Sequence, residues 1–260
     1  MGEKQKMLIT GASRGIGEAI ARKFFKNNYQ IILVARTETN LKRISEELGD
    51  DTVYYTCDLS SKESTISVFN RIKQEQGNIE NIILNAGVST NALFSKNEIE
   101  NIEKELRVNY LSQLEIIKIF LPEMVEKKKG NIVSISSIVA FLPFPGNSTY
   151  AASKSALFSF IRSLRMEVLK YNIFAGIILP GLTKTDMTKE FHSPFLPFEN
   201  PEDIANSVEF AINSKSPVVI PGILNNTFSE VYRLFPGPVN FFIEKLSDFF
   251  IPFSKENKIK

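Results

Sequence analysis

The stretch Met7–Phe25, MLITGASRGIGEAIARKFF, decides the fold of this chain. Met7–Ile9 predicts a short buried strand, Thr10–Gly17 is a glycine-rich turn, and Glu18–Phe25 has the apolar periodicity of a helix. Glycines in such a turn let the backbone approach a pyrophosphate, which the N–H groups and dipole of the helix N-terminus then stabilise. The spacing is Gly-x-x-x-Gly-x-Gly rather than Gly-x-Gly-x-x-Gly. We predict a dinucleotide-binding turn and keep an ordinary strand-to-helix turn as the alternative.

Strands and helices continue to alternate along the chain after this turn. Near-continuous apolar runs predict further strands at Gln30–Ala35, Val53–Thr56, Asn81–Leu84 and Asn131–Ile135. Helical periodicity is found at Leu41–Leu48, Ser61–Gln76 and Ile99–Met124, and from Tyr150 to about Lys170, where Ser148 or Thr149 can act as the cap. The alternation predicts an α/β fold: a doubly wound, Rossmann-like parallel sheet of about seven strands.

The composition is that of an ordinary soluble globular protein, with 43% hydrophobic and 23% charged residues among 260. No linker or repeat divides the chain, so we expect residues 1–260 to form one domain. A net charge of +2 gives no reason to expect a nucleic-acid partner. Cys57 is the only cysteine, so it has no disulfide partner in the chain and is expected to pack. Without a signal peptide or an apolar run of roughly 18 residues, we expect a cytoplasmic protein whose membrane contact, if any, is peripheral.

The end of the second predicted strand bears on the choice of nucleotide. In doubly wound folds an acidic group there binds the adenosine ribose 2′-hydroxyl, whereas an arginine suits a 2′-phosphate through a charge-assisted contact. This chain has Ala35-Arg36 at that point and no carboxylate, and Arg14 in the glycine turn can approach the same phosphate. Either arginine could instead be a solvated loop charge. The pattern favours NADP over NAD.

Tyr150 and Lys154 are four residues apart in a predicted helix, which places both side chains on one face. A phenol with a pKa near ~10 is a poor acid or base at neutral pH, but an adjacent cation lowers that pKa. The tyrosine could then act as a general acid or base. The same spacing also occurs in ordinary half-buried surface pairs, so the pair gains meaning only from the other motifs.

Three further polar positions have both an ordinary and a functional interpretation. Asn109, in the middle of a predicted helix, is either a surface amide or a buried group that binds a water or disturbs the helix. Ser136-Ser137 forms either a simple strand-end turn or part of a ligand site at the carboxyl edge of the sheet. His192 is expected to be a loop histidine, and the sequence offers no metal-binding constellation.

Taken in order, these segments resemble the short-chain dehydrogenase/reductase family over roughly Met7–Ile220. Thr10–Gly17 is similar to the cofactor turn of that family, Asp58-Leu59 to its adenine-side pair, and Asn85-Ala86-Gly87 to its strand-four motif. Pro180–Thr185 resembles the motif after strand six. It departs from the family pattern by a threonine at its fourth position, where Val or Ile is usual.

The same resemblance identifies Ser137, Tyr150 and Lys154 as the catalytic triad, and Asn109 completes a tetrad. The interval of thirteen residues from Ser137 to Tyr150 agrees with the family and favours Ser137 over Ser136. A glycine is often found three residues after the asparagine, where this chain has a serine. The resemblance implies that Tyr150 exchanges a proton with a carbonyl or alcohol oxygen that Ser137 binds. It also implies that Lys154 holds the ribose and lowers the tyrosine pKa, and that Asn109 holds a proton-relay water.

The implied activity is hydride transfer between NADP(H) and a small-molecule carbonyl or alcohol, catalysed by a homodimer or homotetramer. The alternative is a catalytically silent NADP-binding or scaffold protein on the same fold, against which the intact tetrad argues. The implied cofactor-binding residues are Gly11, Ser13, Arg14, Gly15, Ile16, Gly17, Arg36, Asp58, Leu59, Asn85, Ala86, Gly87, Tyr150, Lys154, Pro180, Gly181, Thr183 and Thr185.

Two segments lie outside the secure resemblance. The loop at about 186–200 is apolar from Phe191 to Phe198, which indicates either a lid over a lipophilic substrate or a loop that packs on its own core. The segment at about 221–260 is rich in phenylalanine, and a helix is expected from about Val239 to Ile251 with an apolar stripe. The substrate cleft, a partner subunit or a membrane could cover that stripe, and we favour the first two.

Overall fold

The computed structural model describes residues 4–189 and 198–245. Within them, seven strands form one sheet in the order β3-β2-β1-β4-β5-β6-β7, and every pairing is parallel. The strands are β1 (Lys6–Thr10), β2 (Gln30–Ala35), β3 (Thr52–Thr56), β4 (Asn81–Leu84), β5 (Gly130–Ile135), β6 (Ile173–Ile178) and β7 (Val218–Val219). The predicted doubly wound sheet is confirmed.

The helices connect these strands and cover both faces of the sheet. They are α1 (Gly15–Lys26), α2 (Glu38–Leu48), α3 (Lys62–Gln76), α4 (Ile99–Leu106), α5 (Ser112–Lys127), α6 (Ser148–Val168), α7 (Pro201–Ser214), α8 (Ile223–Leu234) and α9 (Pro236–Lys245). None of the helices in the described ranges is long and apolar enough to cross a membrane.

Two hydrophobic layers explain why the strands are apolar at almost every position. Side chains alternate across a strand, so Leu8 packs in one layer while Met7 and Ile9 pack in the other. The first layer is completed by α3, α5 and α6, and the second by α1, α2 and α7. With both faces buried, polar residues are left for the strand ends, which is where ligands bind in such folds.

The strand order reverses at β1, which lies between β2 and β4. The connections after β1 and after β4 therefore leave the sheet on either side of one crevice at its carboxyl edge. This switch point is the usual ligand site of doubly wound sheets, and it places the segment Thr10–Gly17 beside the segment Asn85–Gly87.

The prediction of a single helix over Ile99–Met124 is wrong for the middle of this range. The backbone there forms a π-helical segment, Arg107–Leu111, between α4 and α5. Buried side chains bond to the widened backbone: Ser112 Oγ donates to the Val108 carbonyl at 2.9 Å and Gln113 Nε2 donates to the Asn109 carbonyl at 3.0 Å. π-bulges of this kind are frequent at functional sites. Of the two interpretations of Asn109, the structure supports the buried group that disturbs the helix.

Two boundaries also differ from the sequence prediction. The N-cap of α6 is Asn147 rather than Ser148 or Thr149, which lie within the helix. Helical structure at the C-terminus begins at Ile223, earlier than the predicted Val239, and it is interrupted before Pro236 because proline cannot continue a helix but suits a first turn. The centre of the predicted lid, His192 and the end of the predicted apolar stripe lie outside the described residues.

Candidate active site

The glycine turn between β1 and α1 is held close to the end of β4. Gly11 and Gly15 have φ values of 67° and 57°, which favour glycine. A Cβ on Gly17 would lie 2.2 Å from the Gly11 carbonyl oxygen, so no side chain fits there. The helix α1 begins without a side-chain cap, and its first N–H groups are therefore available to an anion.

Asn85 and Thr10 fasten this turn to the strand-four motif. Asn85 Nδ2 donates to the carbonyls of Thr10 and Gly11 at 3.0 and 3.2 Å. In return, Thr10 Oγ1 accepts the backbone N–H groups of Asn85 and Ala86 at 3.0 and 3.1 Å. The motif after β4 therefore fixes the shape of the turn after β1.

Lys154 lies beneath the site, fully buried on α6. Its Nζ donates to the Ile135 carbonyl at 2.9 Å and lies 5.7 Å from the centre of the Tyr150 ring. A Cβ on Gly87 would approach Nζ to 3.3 Å, so the last residue of the Asn85–Gly87 motif leaves room for the lysine. Burial lowers the pKa of Lys154 to about 8.

Asn109 is fully buried in the π-helical segment and links three elements. Its Oδ1 accepts the N–H of Val88 at 2.8 Å, and its Nδ2 donates to the Val88 carbonyl at 2.9 Å and to Ser153 Oγ at 3.0 Å. The side chain therefore fixes the loop after β4 against α6, next to Lys154.

Ser137, rather than Ser136, bonds to the Tyr150 hydroxyl. Ser136 Oγ instead donates to the Lys154 carbonyl at 3.0 Å, which is a structural contact between the end of β5 and α6. Burial raises the pKa of Tyr150 to about 12, the hydrogen bond from Ser137 opposes that shift, and the charge of Glu105 adds to it. The expected lowering of the tyrosine pKa is wrong for this arrangement of protein groups, because desolvation outweighs the hydrogen bond with Ser137.

The two arginines expected to select the nucleotide differ in their surroundings. Arg14 is paired with Asp186 at 2.8 Å, and both side chains are exposed. Arg36 follows β2, is exposed, and makes no ion pair within residues 4–189 and 198–245. The pKa of Asp58 is lowered despite burial by hydrogen bonds from Ser60 and by the charge of Arg36, which places Arg36 near the adenine-side pair. Of the two arginines, Arg36 is therefore the one whose guanidinium is more available to a phosphate group of a bound nucleotide.

The motif after β6 lies against the glycine turn. The methyl group of Thr185 is 3.2 Å from the position of a Cβ on Gly15. Behind the motif is Glu199, which the sequence analysis missed: its Oε2 accepts the N–H of Gly181 at 3.1 Å, and burial raises its pKa. Asn225 of α8 lies close enough to Glu199 to oppose that rise in its pKa, so the carboxylate lies between the motif and the C-terminal helices.

All the segments above open into one cavity of about 390 Å³ at the carboxyl edge of the sheet. Of the predicted site residues, the cavity is lined by Gly11, Ser13, Arg14, Gly15, Ile16, Arg36, Asp58, Leu59, Asn85, Ala86, Gly87, Ser137, Tyr150, Lys154, Pro180, Gly181, Thr183 and Thr185. Gly17 and Asn109 support it from behind. Sequence analysis missed Ser89, Asn91, Leu142, Phe144, Asn225 and Phe228, which also line it.

Comparison with known proteins agrees with this architecture. A family model described as short chain dehydrogenase matches residues 5–194. Carbonyl reductase family member 4 of Xenopus laevis is 33% identical over 79% of this chain and 90% of its own length. The 3-oxoacyl-[acyl-carrier-protein] reductase FabG of Buchnera aphidicola is 30% identical, over 83% of this chain and 93% of its own length.

The solved structures include an alcohol dehydrogenase from the archaeon Thermococcus sibiricus complexed with 5-hydroxy-NADP. It superposes with a TM-score of 0.74 at 26% identity and covers 84% of this chain and 95% of its own. The residues matched by the family model include most of those that line the cavity. The chain belongs to the short-chain dehydrogenase/reductase family of oxidoreductases.

Proposed function

We propose that this protein is an NADP(H)-dependent oxidoreductase that interconverts a carbonyl compound and the corresponding alcohol. One observation carries the proposal: the Ser137–Tyr150 hydroxyl pair and the buried Lys154 ammonium line the same cavity as the glycine turn. A protein that only bound a nucleotide would have no use for an acid and a hydroxyl partner beside it.

The residues around the cavity fit a nicotinamide dinucleotide. The uncapped start of α1 and the close packing of Gly11 and Gly17 leave backbone N–H groups for a pyrophosphate. Lys154 would hold the ribose, and Thr185 would reach the nicotinamide end. When bound, the cofactor supplies or accepts the hydride.

Proton transfer is assigned to the Tyr150 hydroxyl. With a pKa of about 12, this phenol carries its proton at neutral pH, so the proton is present for transfer to a carbonyl oxygen, but as a weak acid the phenol would need the nearby Lys154 ammonium to stabilise the phenolate that forms. Ser137 would orient the same oxygen, since its hydroxyl already bonds to Tyr150. The protonated tyrosine favours reduction over oxidation near pH 7.

NADP is proposed over NAD because of Arg36. Its guanidinium is exposed beside the adenine-side Asp58 and has no ion-pair partner within the described ranges, so it can neutralise a 2′-phosphate. The complex of the Thermococcus sibiricus relative with 5-hydroxy-NADP supports this choice.

A lipophilic substrate is proposed from the walls of the cavity beyond Tyr150. Leu142 and Phe144 line it from the segment after β5, and Phe228 lines it from α8. We propose that α8 forms part of the wall at the substrate end of the cleft through Phe228.

The opposite side of α8 and α9 is exposed and apolar. Ile223, Leu234 and Phe242 are 86%, 65% and 64% exposed. We propose that this face packs on a second copy of the chain in a homodimer or homotetramer, with peripheral contact to a membrane as the alternative. Sedimentation with and without anionic vesicles, for full-length protein and a form truncated after Gly222, separates the two.

The activity is tested by NADPH oxidation with a panel of ketones and aldehydes of increasing chain length. Turnover of the longer apolar members is expected. Binding of NADPH without turnover of any member would support the silent scaffold instead. Binding of neither NADPH nor NADH would contradict both functions.

A further inference from the structure

Glu105 is a buried carboxylate for which the proposed reaction has no use. It lies in the last turn of α4 and is 1% exposed. Within residues 4–189 and 198–245 it makes no salt bridge; its sequence neighbour Arg107 is paired with Glu115 instead. Buried carboxylates without a cation are rare, because desolvation is costly unless hydrogen bonds replace water.

Each oxygen of Glu105 accepts one short hydrogen bond from a different wall of the cavity. Oε1 accepts the backbone N–H of Thr90 at 2.6 Å, and Oε2 accepts the hydroxyl of Thr149 at 2.6 Å. Thr90 belongs to the segment after β4, whereas Thr149 directly precedes Tyr150 in α6. Hydrogen bonds to a carboxylate are stronger than those between neutral groups. Glu105 therefore holds the segment after β4 and the start of α6 in a fixed arrangement.

The segment fixed by Thr90 presents polar groups to the cavity. Ser89 and Asn91 line it on either side of Thr90. Asn91 is buried with φ at 54°, and its Oδ1 accepts the Ser89 hydroxyl at 2.6 Å. Asparagine is one of the few residues other than glycine that adopt this left-handed conformation readily, and the bond from the Thr90 N–H to Glu105 holds the peptide between Ser89 and Thr90.

We propose that Glu105 is a positioning residue, which sets the Ser89–Asn91 segment relative to Tyr150 and so determines how the substrate oxygen and its neighbouring polar groups are held. The proposal rests on the proposed function for the role of Tyr150. In this proposal Ser89 and Asn91 take part in substrate recognition. The hydroxyl of Ser89 and the amide of Asn91 would contact a polar substituent near the reacting carbonyl of the substrate.

The charge of Glu105 affects the pKa of Tyr150, and this pKa is a measurable quantity that a merely structural role of Glu105 would leave unchanged. The charged groups of the described residues that face Tyr150 are Glu105 from α4 and Lys154 from its own helix. Burial is the main reason that the pKa of Tyr150 is raised, and Glu105 adds to it. Removing the charge while keeping the shape should therefore shift the Tyr150 titration to lower pH.

The test compares Glu105→Gln with Glu103→Gln, a matched change at an exposed carboxylate of the same helix. For the ketone of the panel that wild type reduces fastest, Glu105→Gln should raise KM about two- to tenfold, the equivalent of one weakened hydrogen bond. NADPH affinity should stay unchanged. The pH profile of alcohol oxidation should move to lower pH. Glu103→Gln should match wild type in all three measurements.

Thr149→Val is the second variant, in case Glu105→Gln does not fold. It removes one of the two bonds and keeps the charge, so it should raise KM without moving the pH profile. The Tyr150 phenol signal in NMR titrations of the NADPH-bound protein gives the same comparison without turnover. An unchanged KM and an unchanged tyrosine titration in Glu105→Gln would overturn the proposal. An inactive wild type with a shifted titration would overturn only the proposed function.

Discussion

The two ends of the cavity are built from different kinds of polar group. At the end proposed to bind the substrate, Lys154 is buried and Tyr150 is half-buried, and desolvation moves the pKa of each away from its ordinary value. At the phosphate end, Arg14 and Arg36 are exposed and remain in water. Electrostatic effects are large where water is excluded and are screened where it is not. Mutations at the substrate end should therefore change turnover strongly, and mutations at the phosphate end should change affinity in a salt-dependent way.

The largest effect is expected for Tyr150→Phe. Loss of the proton donor should lower kcat for ketone reduction by roughly a factor of 10²–10⁴. NADPH binding, measured by fluorescence titration, should be retained because Lys154 still occupies its place beside Gly87. Tyr171→Phe, at a tyrosine that does not line the cavity, is the matched control. Equal loss of turnover and NADPH binding would show a structural role for Tyr150.

Ser137→Ala should come second. The hydroxyl is expected to bind the substrate oxygen as charge develops, so its loss should lower kcat by roughly tenfold to a hundredfold, with a smaller change in NADPH affinity. Steady-state kinetics measures this, with Ser207→Ala as the control at a half-buried serine of α7 that does not line the cavity. Wild-type turnover in Ser137→Ala would remove the residue from the mechanism.

At the phosphate end, Arg36→Ala should weaken NADPH binding by roughly tenfold to a hundredfold at low salt and leave NADH binding nearly unchanged. The difference should shrink as ionic strength rises, because Arg36 is exposed. Lys42→Ala, which removes an exposed charge of α2, is the control. Wild-type protein that binds NADH as tightly as NADPH would contradict the choice of cofactor.

The smallest effect is expected from pH. Lys154 has a lowered pKa of about 8, so its charge is present below that pH and is lost above it. If its ammonium supports catalysis, ketone reduction should be flat up to about pH 8 and then fall by at most about tenfold per pH unit. Tyr150 should not contribute to this limb, because its pKa is about 12. A rate that is constant to pH 10 would exclude a requirement for the lysine charge.

Short-range patterns predicted most of this molecule well. The strands β2 and β4 have the predicted boundaries, and β1, β3 and β5 extend one residue further at one or both ends; no boundaries were predicted for β6 and β7. The glycine turn was found from residue type and order, and Asn85–Gly87 and Pro180–Thr185 from the resemblance to the family; the structure gathers all three at one sheet edge. Local patterns work here because strand alternation and turn geometry depend on neighbours in sequence.

Glu105 shows what such patterns miss. It lies four residues before Asn109 and three after Ile102, so helical periodicity alone places it on the same face as Asn109. A charged residue on the inward face of a predicted helix could have marked Glu105 as a candidate functional residue. Its partners were not predictable, because Thr149 is 44 residues away and joins it only through the packing of α4 on α6.

The sequence by itself determined the order of strands and helices, the apolar layers and the residue types at the sheet edge, since each depends on local periodicity and backbone freedom. Only the tertiary structure decided the direction of the Tyr150 pKa, the pairing of Arg14 with Asp186 across 172 residues, and the π-helical segment at Asn109. These properties depend on how much water is excluded from a site and on which groups from distant parts of the sequence lie next to it. Both are determined by the packing of elements that are far apart in the chain.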